Sequence, residues 1–180
     1  EAARSQQRLP VPVVLRILVD ALEGLNAAHT LKDGDGKPLS IVHRDISPHN
    51  VFVGYDGSVK VLDFGIAKAA TSESQTRTGT IKGKFAYIAP EQARGEAIDG
   101  RADVWSTGVS MWEMLTGRRL FRRNSDVAVL QATLSEAIPR ADQIDPSVPA
   151  GLAEICERAL QRDLGQRWAN ARLMKEAIEE

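Results

Sequence analysis

The sequence predicts a mostly α-helical domain carrying one small β-hairpin. Three observations point there. Apolar residues recur at steps of three and four through several segments, the period of a helix with one buried face. One of the Asp-Gly pairs, Asp56-Gly57, stands between two short β-branched runs, the signal of a hairpin. The 180 residues, 43% of them hydrophobic and 26% charged, suit one domain with one core.

The first helix follows Pro10 and Pro12. Val14, Ile17, Leu18, Ala21, Leu22, Leu25 and Ala28 form its apolar stripe, and it should end near His29 and Thr30. Residues 32–38, Lys-Asp-Gly-Asp-Gly-Lys-Pro, are loop on turn chemistry. Ile41-Val42 and Val51-Phe52-Val53 are β-type runs, and Val53 leads through the turn into Val59-Lys60-Val61-Leu62. Residues 66–88, rich in Thr, Ser, Gly and Lys, show no period and read as a long functional loop. Residues 102–115 have few charges on any side, so that helix should be buried all round, with Gly117 at its C-terminal end. Further helices fit 125–135, 149–161 and 169–180, with Ser125 and Ser147 near the starts of the first two.

Net charge is −1, from 23 basic and 24 acidic residues, which gives no electrostatic case for nucleic acid or an anionic membrane. Cys156 is the single cysteine, excluding an internal disulfide or a multi-cysteine zinc site. No uncharged run approaches the ~18 residues of a membrane span. The chain opens on Glu inside the approach to a helix, and the expectation is a cytoplasmic fragment of a longer protein whose other segments could carry an anchor.

The chemistry concentrates in three motifs. His43-Arg44-Asp45-Ile46-Ser47-Pro48-His49-Asn50 reads H-R-D-x-x-x-x-N; Asp63-Phe64-Gly65 follows across the hairpin; Ala89-Pro90-Glu91 closes the long loop. Singly, Asp45 could cap a turn, Asn50 brace a loop and Asp63 end a strand. Jointly those readings leave the order and spacing unexplained. The set resembles the eukaryotic-type (Hanks-type) serine/threonine protein kinases, in a form most similar to bacterial members. Asp103-Val104-Trp105-Ser106-Thr107-Gly108 resembles the D-x-W-S-x-G of the family's central helix, and Arg167 stands where a late arginine pairs with the glutamate of Ala-Pro-Glu, here Glu91.

The resemblance implies the C-terminal lobe of the protein-kinase-like α+β fold over residues 1–180, with a catalytic loop at 43–50, an activation segment at 63–91 and the N-terminal lobe absent. It implies transfer of the ATP γ-phosphate to Ser/Thr hydroxyls of proteins. Asp45 then accepts the hydroxyl proton, Asn50 and Asp63 hold Mg²⁺ through the oxygen ligands that ion prefers, and Asp103 bonds to catalytic-loop backbone. His43 and Phe64 read as packing residues. Phe52 matches the position beneath the adenine ring, although a hairpin residue facing the core fits equally well. Arg44, ahead of Asp45, implies a phosphorylated loop residue, with Thr76, Thr78 and Thr80 as candidates.

The match has gaps. The family's Gly-rich loop, strand lysine and helix glutamate have no counterparts here. Gly34-x-Gly36 lacks a third glycine, Lys60 lies on the hairpin, and 33–36 lacks the later ligands of a calcium loop. Ser47 replaces the usual lysine two after the catalytic aspartate, and Lys84 replaces the usual threonine six before the Pro of Ala-Pro-Glu. A reciprocal swap would let Lys84 supply the missing positive charge. The implied partners are Ser/Thr-bearing protein substrates and the protein's own N-terminal lobe, without which the chain should be inactive. The alternative is a non-catalytic pseudokinase or scaffold lobe, which Ser47 and the missing N-terminal part would suit.

Overall fold

The computed structural model describes residues 8–64 and 84–180, Lys84 by its backbone alone. Helix α1, Val11–His29, buries Val14, Leu18, Ala21, Leu22 and Leu25, the predicted stripe. It starts earlier than expected because Pro12 sits in the first turn, where a missing N–H costs nothing. Leu39 N–H closes the following loop onto the Leu31 carbonyl, beside an isolated antiparallel bridge from Lys32 to Pro38.

A one-turn 3₁₀ helix, Pro48–Asn50, leads directly into strand β1, Val51–Val53, which pairs antiparallel with β2, Val59–Val61. Their register sets Val51 opposite Val61 and Val53 opposite Val59. Gly57 takes φ +82°, a conformation that favours glycine, so the Asp-Gly signal is explained by the backbone. Ile41-Val42 forms no strand. The chain there turns inward to the catalytic loop, and the next amide, His43 N–H, donates to a side chain.

A 3₁₀ turn, Lys84–Tyr87, precedes the short α2, Pro90–Arg94, which the sequence reading left unassigned. Helix α3, Arg101–Thr116, is the centre of the molecule: every residue except Arg101 and Met114 is buried. Its buried hydroxyls are satisfied along the helix, Ser110 donating to Ser106 O and Thr116 to Trp112 O. Gly117 ends it at φ +67°.

Helix α4, Asp126–Ser135, is capped by Ser125, whose Oγ accepts from Ala128 N. The one-turn α5, Ala141–Ile144, was not foreseen. Helix α6, Ala150–Ala159, follows Pro149; Ser147 does not cap it but donates to Asp145. Helix α7, Ala171–Glu179, is capped by Asn170. Helix α1 packs against α7, β2 and α3, and α3 packs against α6. No described helix is long and apolar enough to cross a membrane.

Candidate active site

The site is built outward from a buried carboxylate. Asp103, in the first turn of α3, has no exposed surface. Its Oδ2 accepts from His43 N at 2.8 Å and lies 2.7 Å from His29 Nε2; its Oδ1 accepts from Arg44 N at 2.8 Å. Charge-assisted bonds of this kind are the strong ones, and they fasten the catalytic loop to both α1 and α3. Arg44 adopts φ +69°, a left-handed conformation costing a non-glycine residue about 1–3 kcal/mol, which the two amide bonds to Asp103 help offset.

His43 is fully buried. Its Nε2 donates to Leu62 O at 2.8 Å, and its Nδ1 accepts from Asp45 N at 3.2 Å, so both ring nitrogens are committed to backbone. Its ring meets Phe64 at 4.7 Å between centroids. The predicted packing role of both residues is therefore what the structure shows.

Asn50 and Asp63 converge because the hairpin joins them. Leu62 N donates to Asn50 O at 2.8 Å, setting the residue before Asp63 beside Asn50. Asn50 Nδ2 donates to Asp45 O at 2.7 Å, which ties this side chain to the loop that carries Asp45 and leaves its amide oxygen for other partners. Asp63 is exposed and held at φ +58°. No cluster of three or more His, Cys, Asp or Glu suited to a metal occurs among the described residues. The donor set nonetheless fits Mg²⁺, which takes one or two carboxylate ligands and completes its shell with water and phosphate.

Phe52 is 54% exposed and sits opposite Lys60, which removes the reading in which it faces the core. Gly65, the candidate threonines at 76, 78 and 80, and the Lys84 side chain lie outside the described residues. Ser47 is buried at the base of the catalytic loop.

A cleft of ≈ 700 Å³ opens beside Asp45, Ser47, His49 and Asn50 and extends to Tyr87 and Arg119. Sequence reasoning missed the last two. Tyr87 OH donates to Glu113 Oε2 at 2.8 Å, and Arg119 Nη1 donates to the same oxygen at 2.9 Å and to the Tyr87 hydroxyl. Burial, reinforced by the Glu113 charge, pushes the Tyr87 phenol well above its usual range. Gln92 braces the opposite side, its Oε1 accepting from Ala89 N and its Nε2 donating to Arg44 O. Beneath the site, Arg167 and Glu91 form the expected buried pair at 2.7 and 3.1 Å; Arg167 also donates to Arg101 O and Gln161 O.

Residues 2–178 match the family model described as protein kinase domain. Tyrosine-protein kinase MasK of Myxococcus xanthus is 46% identical over 178 residues, 99% of this chain and 28% of that protein. Serine/threonine-protein kinase PknA of Corynebacterium glutamicum is 37% identical over 95% of this chain and 34% of its own length. Serine/threonine-protein kinase PknL of Mycobacterium tuberculosis is 37% identical over 96% of this chain and 42% of its own length. The chain thus spans well under half of each of these relatives. With a family match over nearly its whole length, and with the catalytic loop, hairpin and central helix arranged around Asp103, the chain belongs to the protein kinase family.

Proposed function

We propose that this chain supplies the catalytic centre of a protein serine/threonine kinase, with Asp45 as the base that accepts the substrate hydroxyl proton. The observation that carries the reading is the link between the three motif residues: Asn50 bonded to the Asp45 carbonyl, and Asp63 held beside Asn50 by the hairpin. Bound MgATP would supply the γ-phosphoryl group and the cationic charge that neutralises it. Asn50 and Asp63 would hold the metal by oxygen. Phe52, exposed on β1, offers an apolar surface for the adenine ring. Asp45 orients the incoming hydroxyl and removes its proton.

The test uses the full-length protein with radiolabelled ATP and a mixed protein substrate. Asp45→Asn should lower kcat by about 10²–10⁴-fold, the usual size of a general-base contribution, with circular dichroism unchanged. A wild-type protein that binds MgATP yet transfers no phosphate would overturn the reading in favour of a scaffold. The 180-residue chain on its own should show no transfer, because its sequence carries neither a Gly-rich loop nor a strand lysine ahead of the first helix. Lys84→Thr should lower kcat by roughly ten- to a thousandfold if its ammonium replaces the lysine missing at Ser47. Adding Ser47→Lys should restore part of that loss; an unchanged kcat for Lys84→Thr would exclude the swap.

A second reading concerns the acceptor. MasK, at 46% identity, is named a tyrosine kinase, whereas PknA and PknL are named serine/threonine kinases. Phosphoamino-acid analysis of the labelled product separates the two: phosphotyrosine alone would replace the Ser/Thr assignment.

A further inference from the structure

The cleft that holds Asp45 also carries a cluster of arginines that the transfer chemistry does not use. Arg119, Arg122 and Arg123, from the segment between α3 and α4, line it together with the catalytic loop. Their commitments differ. Arg119 is bonded to Tyr87 and Glu113 and fixes the floor. Arg123 is paired with the Glu136 carboxylate. Arg122 is exposed and makes no ion pair among the described residues.

Among the described residues, two carboxylates line the cleft against the three arginines. Asp45 sits on the catalytic loop, and Asp126 lies in the first turn of α4, where the helix N-terminus offsets its charge. Besides Asp45, the catalytic loop contributes His49 to the lining, exposed and adjacent to Asn50. A polypeptide that brings a hydroxyl to Asp45 therefore runs past guanidinium groups. A lysine or arginine on that polypeptide is repelled. An aspartate or glutamate meets the planar donor fork of Arg122, which matches a carboxylate with two parallel hydrogen bonds.

We propose that Arg122, flanked by Arg123, selects protein substrates bearing an acidic residue at a fixed distance from the phosphorylated one. The inference rests on the kinase reading of the same cleft and names the substrate class that reading leaves open. It also predicts salt sensitivity, because Arg122 is solvent-exposed and charges there are screened over about 8 Å at physiological ionic strength.

The experiment has two arms, both on the full-length protein. The first is a positional-scanning peptide library with radiolabelled ATP. Asp and Glu should be enriched at one offset, and Arg122→Glu should lower the ratio of kcat/KM for the acidic over the matched lysine peptide about tenfold, the order expected for one interfacial charge pair. Arg118→Glu, which reverses a charge just outside the cleft, should leave that ratio unaltered. The second arm needs no transfer: fluorescence anisotropy of acidic, neutral and basic peptides whose acceptor is replaced by alanine. The acidic peptide should bind tightest, and Arg122→Glu should reverse the order. If no peptide is phosphorylated while this binding order holds, the kinase reading fails and the recognition stands. A library with no acidic enrichment, equal effects of Arg118→Glu and Arg122→Glu, or equal binding of all three peptides would overturn the inference.

Discussion

Glu91 and Arg167 lie 76 positions apart in sequence and are both essentially excluded from solvent. Their pair is completed by the bonds from Arg167 to two carbonyls and by the Trp105 ring 5.2 Å from its guanidinium carbon. Burial of this kind makes the pair costly to break and of little net stabilising value. Arg167→Met should lower the unfolding free energy by about 3–5 kcal/mol in urea titrations, since it strands a buried carboxylate. Combining it with Glu91→Leu should recover much of that loss, and a double variant no more stable than the single would contradict this account. The pair was legible in the sequence only through the family resemblance, because no local pattern links two residues so far apart. Arg119, Arg122 and Arg123 were not legible at all. Their placement beside Asp45 depends on how the segment after α3 folds back, and a charged surface segment carries no periodic signal of that.

Among the elements, the longer helices were readable from their apolar spacing, and α3 from its lack of charge. Helices α2 and α5, of five and four residues, are too short to show a period. Ile41-Val42 misled because β-branched composition does not say whether a partner strand exists. Helix α3 also carries Gly108, whose place in a buried helix has a packing reason. A Cβ there would stand 2.8 Å from Ala159 Cβ on α6 and 3.3 Å from Leu160, which caps that helix. Gly108→Ala gains about 1 kcal/mol of helix propensity. The overpacking it causes costs typically 1–3 kcal/mol, so the net effect should be a loss. Thermal unfolding of Gly108→Ala checks this; a raised Tm would mean that α6 can move away without cost. At the start of α4, Ser125→Ala should cost about 1 kcal/mol by removing the acceptor for Ala128 N–H.

For the whole molecule, stability should form a plateau bounded on both sides by groups whose titration differs between folded and unfolded chains. Asp56, Asp99, Asp142 and Asp145 are held below the ordinary value of 3.8, chiefly by hydrogen bonds from Ser58, Arg101, Arg140 and Ser147 respectively, and Asp145 falls to about 2. A depressed carboxylate contributes above its unfolded value and loses that contribution as pH falls through the folded one. Stability should therefore decline below about pH 4. Burial raises Cys156 from 9.0 and Tyr87 from 10.0. For these acids the unfolded chain releases its protons first, so stability should decline again as pH rises above those values. Tm measured from pH 2 to pH 11 should trace this plateau, and a Tm that rises above pH 10 would contradict the burial of the two groups.

The bonds from the His43 and Arg44 amides to Asp103 have a consequence for hydrogen exchange. Those two protons are held by a carboxylate with no exposed surface at the start of α3, so they exchange when the helix and the loop part. Their exchange should be among the slowest in the protein and should report the free energy of global unfolding, while amides of the exposed turn at 55–57 exchange far sooner. The loop bearing Asp45 would then open only when the core itself unfolds.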